Sequence, residues 1–349
     1  MKLNNIVGPV PSGLTYTAKD FKSSAIVKWC PGCGDYAILN SIHKAMAEIG
    51  IAPHNTVVVS GIGCSSRLPY YMNTYGMHTI HGRGAAIATG VKVANPDLSV
   101  WLISGDGDSM AIGGNHFIHM IRRNVDINMM LINNKIYGLT KGQYSPTSDR
   151  GFVTKSSPLG TVEDPFIPAE LVFGARGTFF ARTIDIDMQM TQEILVQAAA
   201  HKGASIVEGL VNCMIFNNGT HKQYTDREIR ADATITLRHG ERMIYGKERN
   251  KGLILDGLEL KSVTIGENGI TEEDILVHDT TTQSPALHSM LGMMHVFNPE
   301  LPIALGIIRK VEGLTYDQEV TNQVISAQEK KPDLTLQAYL DSLSSWEVK

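Results

Sequence analysis

Only four of the 349 residues are cysteine, Cys30, Cys33, Cys64 and Cys213. That is too few for a disulfide framework, and a reducing compartment would not keep one oxidised. Long apolar runs are also missing. None approaches the roughly 18 residues needed to span a bilayer, so no membrane association is expected. The first twenty residues scatter Pro, Gly and Asn and hold no apolar core of a secretory leader. Charge of one sign is lacking too: 31 Lys plus Arg face 35 Asp plus Glu, for a net charge of −4. Without a basic excess or stripe, nucleic acid is not an expected partner. A soluble, cytoplasmic protein is the expectation.

Charged residues make up 19% of the chain, below the roughly 25% of an average globular protein. Hydrophobic residues make up 43%, which gives a large core and excludes a disordered chain. The 33 glycines, about 9% against a usual ~7%, point to tight turns and close approach of backbone to ligands. The length predicts two domains, or one large domain with an appendage.

Residues 1–25 read as an irregular arm. Ile38, Ile42, Ala45, Met46 and Ile49 have helical spacing over 35–49, stopped by Gly50. Short apolar runs at 56–59, 99–103, 127–132, 179–184 and 205–210 read as buried strands. A helix is expected after Gly107, with Met110, Gly113, Gly114, Phe117, Ile118 and Ile121 on one face, and another at 188–201. Strands alternating with helices imply an α/β fold, a doubly wound, mostly parallel sheet with right-handed crossovers. Ligands sit outside the carboxyl ends of such strands, and Cys64, Asp106, Asn134 and Cys213 all fall there. The proline-rich stretch 145–170 reads as a loop over the site. After about 220 the texture changes to short strand-like runs (252–266, 301–308) and helical patterns at 284–297, 316–329 and 334–346. The expected division is therefore 1–220, an α/β domain, and 221–349, a C-terminal extension.

Gly105-Asp106-Gly107 puts Asp106 at one strand end, and Asn133-Asn134 puts Asn134 at the next, 28 residues later. A diphosphate bound through Mg²⁺ needs this pattern. The ion takes hard oxygen ligands: a carboxylate oxygen from Asp106, an amide oxygen from Asn134 and the main-chain carbonyl of Ile136. The glycines let backbone close on the phosphate, and the helix opening after Asp108 aims N–H groups at the anion. Taken alone, a Gly-Asp-Gly is also a simple turn, and the cysteines also read as small buried hydrophobes.

Gly105 to Asn134 resembles the thiamine-diphosphate fingerprint. Around it stand Trp29-Cys30-Pro31-Gly32-Cys33-Gly34, Gly61-Ile62-Gly63-Cys64-Ser65, His81-Gly82-Arg83, Ala94-Asn95-Pro96-Asp97 and the run Ile136 to Gln143. Together these resemble the β subunit of 2-oxoacid:ferredoxin oxidoreductases, particularly the 2-oxoglutarate type. The likeness is dense over 26–150 and looser after 220. Gly84 departs from it, since Ala is expected after the His-Gly-Arg triplet.

The resemblance implies thiamine diphosphate, Mg²⁺ and a [4Fe–4S] cluster as cofactors, with coenzyme A as co-substrate. It implies cofactor contacts from Gly63, Ser65, His81, Gly105, Asp106, Gly107, Asp108, Asn134, Ile136, Gly138, Leu139 and Thr140. All four cysteines become ligands of one cluster, and four thiolates are what a cubane takes. Structural zinc is the rival, but Cys₄ zinc sites usually pair two C-x-x-C knuckles, whereas Cys64 and Cys213 stand 149 residues apart. Thioredoxin-like chemistry at Cys30 and Cys33 is a third reading. Arg67, His81 and Arg83 are the candidate catalytic residues. Arg67 is set toward the substrate, where a guanidinium can hold a carboxylate bidentately. The plain alternatives are a surface arginine and a surface turn.

The implied reaction is coenzyme-A-dependent oxidative decarboxylation of a 2-oxoacid, 2-oxoglutarate foremost, with electrons passed to ferredoxin. Pyruvate or another 2-oxoacid as substrate, a non-redox thiamine-diphosphate decarboxylase subunit, and an iron–sulfur electron-transfer module are the alternatives. No second α/β domain is legible to grip the aminopyrimidine and present a Glu to it. An α subunit is the expected source, in an (αβ)₂ assembly.

Overall fold

A computed structural model describes residues 15–330, 335–344 and 346. The expected arm up to residue 14, and positions 334 and 345 of the last expected helix, lie outside the described residues. In chain order the strands are β1 (Thr56–Ser60), β2 (Tyr75–His78), β3 (Ser99–Gly105), β4 (Asn128–Asn133), β5 (Phe179–Ile184), β6 (Ser205–Leu210), β7 (Thr234–Leu237), β8 (Ile244–Tyr245), β9 (Lys251–Asp256), β10 (Glu259–Thr264) and β11 (Ile303–Lys310). The helices are α1 (Asp35–Ile49), α2 (Gly84–Ala94), α3 (Asp106–Met110), α4 (Gly114–Arg122), α5 (Pro168–Gly174), α6 (Met188–Ala200), α7 (Lys222–Thr225), α8 (Arg230–Ala233), α9 (Ala286–Phe297), α10 (Tyr316–Lys330) and α11 (Leu336–Asp341).

Eight strands form one sheet in the order β2-β1-β3-β4-β6-β5-β11-β7. Every neighbouring pair is parallel except β5 with β11. Both faces are covered, so the strands are nearly continuously apolar, and their period of two sorts side chains between two cores. Val57, Val59, Leu102, Leu131 and Phe180 face α2, α4, α5 and α9. Val58, Trp101, Ile103, Met130 and Phe179 face α1 and α6. Each such side chain contributes about 1.5–3 kcal/mol relative to exposure. The three-layer α/β architecture expected from the alternation is what the chain forms.

The helix expected after Gly107 is instead two helices, and it starts at Asp106 rather than after Asp108. Ala111 leaves helical geometry (φ −86°, ψ −109°), and the weak helix formers Gly113 and Gly114 follow. α4 then buries Phe117, Met120 and Ile121, while Ile118 is 38% exposed. The expected boundary near 220 does not divide the sheet, because β7 and β11 from beyond it are two of the eight strands. Only β8, β9 and β10 form a separate antiparallel sheet. No described helix is long and apolar enough to cross a membrane.

The order of strands locates a crevice. The chain leaves β1 outward to β2, then returns to β3 on the opposite side of β1. Connections from β1 and β3 therefore part at their carboxyl ends, the place where such sheets bind ligands.

At the β5 end of the sheet, His201 is buried, and its Nε2 lies 3.0 Å from Thr178 Oγ1. Burial, then the charge of Lys310, pushes its pKa down to about 4, with Asp126 opposing. A histidine depressed in the folded state stabilises fully above its unfolded pKa, about 6.5. That contribution is lost as pH falls towards 4. We expect the urea midpoint to drop between pH 6.5 and 4, and His201→Gln to flatten that dependence. An unchanged slope in the variant would remove His201 from the account.

Candidate cofactor site at the carboxyl edge of the sheet

Asp106 is 2% exposed. Its Oδ2 accepts hydrogen bonds from Ser145 Oγ (2.5 Å) and Thr147 Oγ1 (2.6 Å). Burial pushes its pKa up, and the two hydroxyls oppose that. Among the described residues no cation pairs with it. A carboxylate buried without a positive partner is costly, and a divalent ion supplies the missing charge. Asn134, at the end of β4, accepts from Ile136 N–H through Oδ1 (3.2 Å) and keeps a further lone pair. Lys135 between them takes a left-handed conformation (φ 53°), which turns the chain back. The donor set fits Mg²⁺.

Tyr137 covers the other side of this turn. Its hydroxyl donates to the Gly107 carbonyl (2.8 Å), and a Cβ on Gly107 would lie 2.3 Å from its ring. Gly107 is thus required by close packing. Burial, then Asp106 and Asp108, pushes the Tyr137 hydroxyl up to about 12.

Asp108 was expected at the cofactor, and its carboxylate is already engaged. Oδ1 accepts from Ile62 N–H (3.1 Å), Gly82 N–H (2.7 Å) and His81 Nδ1 (2.6 Å), and Oδ2 from Ser104 Oγ (2.5 Å). With four donors satisfied, Asp108 fastens the turns after β1 and before α2 rather than offering an oxygen to a ligand. Because a carboxylate only accepts, His81 Nδ1 must donate, which leaves Nε2 of this half-exposed ring free. Arg83 donates from Nη1 to the Ile112 carbonyl (3.3 Å), tying it to the α3–α4 corner. Gly63 (φ 143°) and buried Ser65 shape the turn after β1. Leu139 and Thr140 are exposed on the Tyr137–Gln143 turn, where Thr140 Oγ1 bonds Gln143 Oε1 (2.5 Å).

The cysteines come from three connections at the same edge. Cys33 N–H donates to Cys30 O (3.1 Å), closing the C-x-x-C turn. Gly34 N–H donates to Asn212 O (3.2 Å), docking that turn beside Cys213. Trp29 Nε1 donates to Cys64 O (2.7 Å), docking it to the turn after β1. A Cβ on Gly138 would lie 3.5 Å from Cys64 Sγ and 3.6 Å from Cys213 Sγ. The loop after β4 therefore passes directly over two of the sulfurs, within van der Waals reach of both.

Burial, then Asp35 and the neighbouring thiols, pushes Cys64 up to about 12 and raises Cys33 as well. Metal binding must supply the charge that deprotonates these sulfurs. Among the described residues no three His, Cys, Asp or Glu side chains converge tightly enough for a single ion. Zinc draws its sulfurs to about 2.3 Å from one point. Cys33 and Cys64 each feel the charge of Cys213, and Cys64 that of Cys30, so the four thiols face one common space.

Arg67 lies on the 3₁₀ helix Ser65–Tyr71, three residues after Cys64. Its Nε donates to Tyr71 OH (3.2 Å), which fixes the stem of a half-buried guanidinium. The edge thus gathers Asp106, Asn134, His81, Arg67 and the four cysteines, as the motif positions implied. Ser145 and Thr147, which hold Asp106 from 39 and 41 residues away, were missed, as was buried Asp35 beside Cys33. No local spacing marks them.

Residues 61–209 match the family described as "Thiamine pyrophosphate enzyme, C-terminal TPP binding domain". The chain is 45% identical over 332 residues, 95% of its length, to the 2-oxoglutarate oxidoreductase subunit KorB of Mycobacterium tuberculosis, and covers 88% of that protein. It belongs to the β subunits of the 2-oxoacid:ferredoxin oxidoreductases. A further relative in that family is the β subunit of 2-oxoacid:ferredoxin oxidoreductase 2 from Aeropyrum pernix, 46% identical over 60% of this chain and 68% of its own. Among solved structures, the 2-oxoglutarate:ferredoxin oxidoreductase of Magnetococcus marinus, with 2-oxoglutarate, coenzyme A and succinyl-CoA bound, superposes with a TM-score of 0.74 at 31% identity. It covers 95% of this chain and 96% of that one. Within this family frame, Cys64, Asp106 and Asn134 fall inside the thiamine-binding match, and Cys30, Cys33 and Cys213 outside it.

Proposed function

We propose that the chain is the β subunit of a 2-oxoglutarate:ferredoxin oxidoreductase that converts 2-oxoglutarate and coenzyme A to succinyl-CoA and CO₂, with ferredoxin as electron acceptor. The observation that carries this reading is that one sheet edge holds both a buried, cation-less Asp106 beside Asn134 and four cysteines. Asp106, Asn134 and the Ile136 carbonyl hold Mg²⁺ and through it the diphosphate. Gly63, Ser65, His81, Gly105, Gly107, Gly138, Leu139 and Thr140 line the cofactor. Cys30, Cys33, Cys64 and Cys213 hold a [4Fe–4S] cluster. When bound, thiamine diphosphate supplies the carbon nucleophile and electron sink for decarboxylation, and the cluster supplies one-electron transfer.

This chain's own residues orient and select. Asp108 holds His81 in the tautomer whose Nε2 is free to accept a proton. Tyr137 and Ser145 keep water from the Asp106 side. Arg67 pairs with a substrate carboxylate. An α subunit supplies the aminopyrimidine-binding domain and its Glu, in an (αβ)₂ assembly. We assign the enzyme to the cytoplasm, where reducing conditions keep the four thiols unpaired.

The test is turnover of the reconstituted αβ complex with a panel of 2-oxoacids and a viologen acceptor. 2-Oxoglutarate should give the highest kcat/KM, and a complex that turns over only other 2-oxoacids would overturn the substrate. Arg67→Ile should lower kcat/KM for 2-oxoglutarate while comparatively sparing pyruvate. A charge-assisted pair is worth roughly 1.5–3 kcal/mol, or about ten- to a hundredfold. Equal losses on both substrates would assign Arg67 to the shared 2-oxoacid head, the cofactor or folding.

A further inference from the structure

The strand order reverses a second time beyond β4. The chain passes from β4 over to β5 and returns through β6 between them, which sets the carboxyl ends of β4 and β6 side by side, at the edge where such sheets bind ligands. A cavity of about 540 Å³ opens there, within the roughly 300–1,000 Å³ range of small-molecule sites. Its inner wall is Asn133 and the buried Arg182–Glu208 pair (2.7 Å). That pair is saturated: Arg182 also donates to the Ala304 and Gly292 carbonyls, and Glu208 also accepts from Asn133 Nδ2. The inner wall is therefore rigid and neutral.

The remaining walls are aromatic and unsatisfied. Phe166, His221, Tyr224 and His295 all line the cavity. His295 Nδ1 is buried with no hydrogen-bond partner, and an orphaned buried nitrogen calls for a ligand or water to satisfy it. His221 donates from Nε2 to the Asn133 carbonyl (3.0 Å), which leaves Nδ1 as an acceptor. Burial holds both rings below their ordinary pKa, His221 at about 4 and His295 at about 2, so at neutral pH they offer hydrogen bonds and π faces rather than charge. Lys135 and Lys222 also line the cavity. Lys135 pairs with Asp149 (2.7 Å), whereas Lys222 has no ion-pair partner among the described residues. The cavity thus carries one uncompensated positive charge beside a set of flat rings.

We propose that this cavity binds the ring-and-phosphate end of a nucleotide-type ligand, the heteroaromatic ring against the aromatic walls and the phosphate at Lys222. Two sources share that chemistry: a free nucleotide, or the adenosine end of the coenzyme that accepts the acyl group. The proposal goes beyond the reaction above, and rests on it only in the second case.

The probe is AMP, titrated calorimetrically into the reconstituted, cofactor-loaded αβ complex. One AMP per β chain should bind, and Lys222→Glu and His295→Leu should each weaken it by about tenfold or more. Thiamine diphosphate content and the visible spectrum should stay at wild-type values in both variants. Displacement of AMP by coenzyme A identifies the coenzyme as the source, and retention of AMP at saturating coenzyme A identifies a free nucleotide; either supports the site. No binding at about 1 mM AMP overturns it. So does binding that both variants leave unchanged, or inorganic phosphate binding as tightly as AMP, which reduces the cavity to an anion site. The readout is heat, so failure of the site is separable from failure of the proposed reaction, which viologen turnover reports.

Discussion

Asp106→Ala is expected to give a folded chain that retains no thiamine diphosphate and has no measurable turnover in complex with its α subunit. The carboxylate is buried and without a cation, so deleting it removes an unfavourable charge from the ligand-free fold. Ser145 and Thr147 lose an acceptor, but they keep each other as partners at 3.2 Å. The thermal midpoint of the ligand-free chain should therefore hold or rise. Cofactor retention should fall by more than the roughly 10–100-fold that loss of an outer partner of a metal ligand costs, since here the ligand itself is gone. Thiamine diphosphate content after desalting checks it. A variant that keeps the cofactor and full activity would remove Asp106 from the metal site.

Cys213→Ser should produce the converse pattern. Cys213 is half-buried at the end of β6, and serine replaces one atom, so the Gly34–Asn212 contact and the strand survive. What is lost is a thiolate ligand, without which a cubane has only three. Iron should fall from about four per chain to a small remainder, with the visible absorbance, while thiamine diphosphate stays bound through Asp106 and Asn134. Opposite losses in the two variants would separate the two cofactor sites on one edge. Stoichiometric zinc in the wild type, or unchanged iron in the variant, would contradict the assignment.

What could be read from the sequence follows from the range of the signal involved. Strands β1, β3, β4, β5 and β6 are continuous apolar runs ended by turn residues, and their alternation with helices implies the parallel sheet without reference to any partner. β2 escaped because Tyr75–His78 is a four-residue edge strand with every residue exposed, so it has no buried face to pattern. α2 escaped because its buried face is Gly84, Ala85 and Ala88 with Lys92, which pairs with Asp126 at 2.9 Å; small residues and a buried lysine carry no amphipathic stripe. β11 reads as a strand, yet nothing local tells that it joins β5 antiparallel across more than a hundred intervening residues. The same limit holds at the site. Asp106 and Asn134 are marked by fixed spacing on consecutive strands. Ser145 and Thr147 reach Asp106 only because the loop after β4 folds back. Asp108 sits in the same motif as Asp106, but its engagement with Ile62, His81, Gly82 and Ser104 follows from how three turns meet.

The most direct test of the central claim is the visible absorbance of the anaerobically purified αβ complex as 2-oxoglutarate is added in the presence of coenzyme A. The account predicts a broad iron–sulfur band that bleaches on addition and recovers when oxidised ferredoxin is supplied, with no bleaching in Asp106→Ala. A complex that releases CO₂ from 2-oxoglutarate with no such band, or with a band that never bleaches, would contradict it and point to a decarboxylase that moves no electrons through these cysteines.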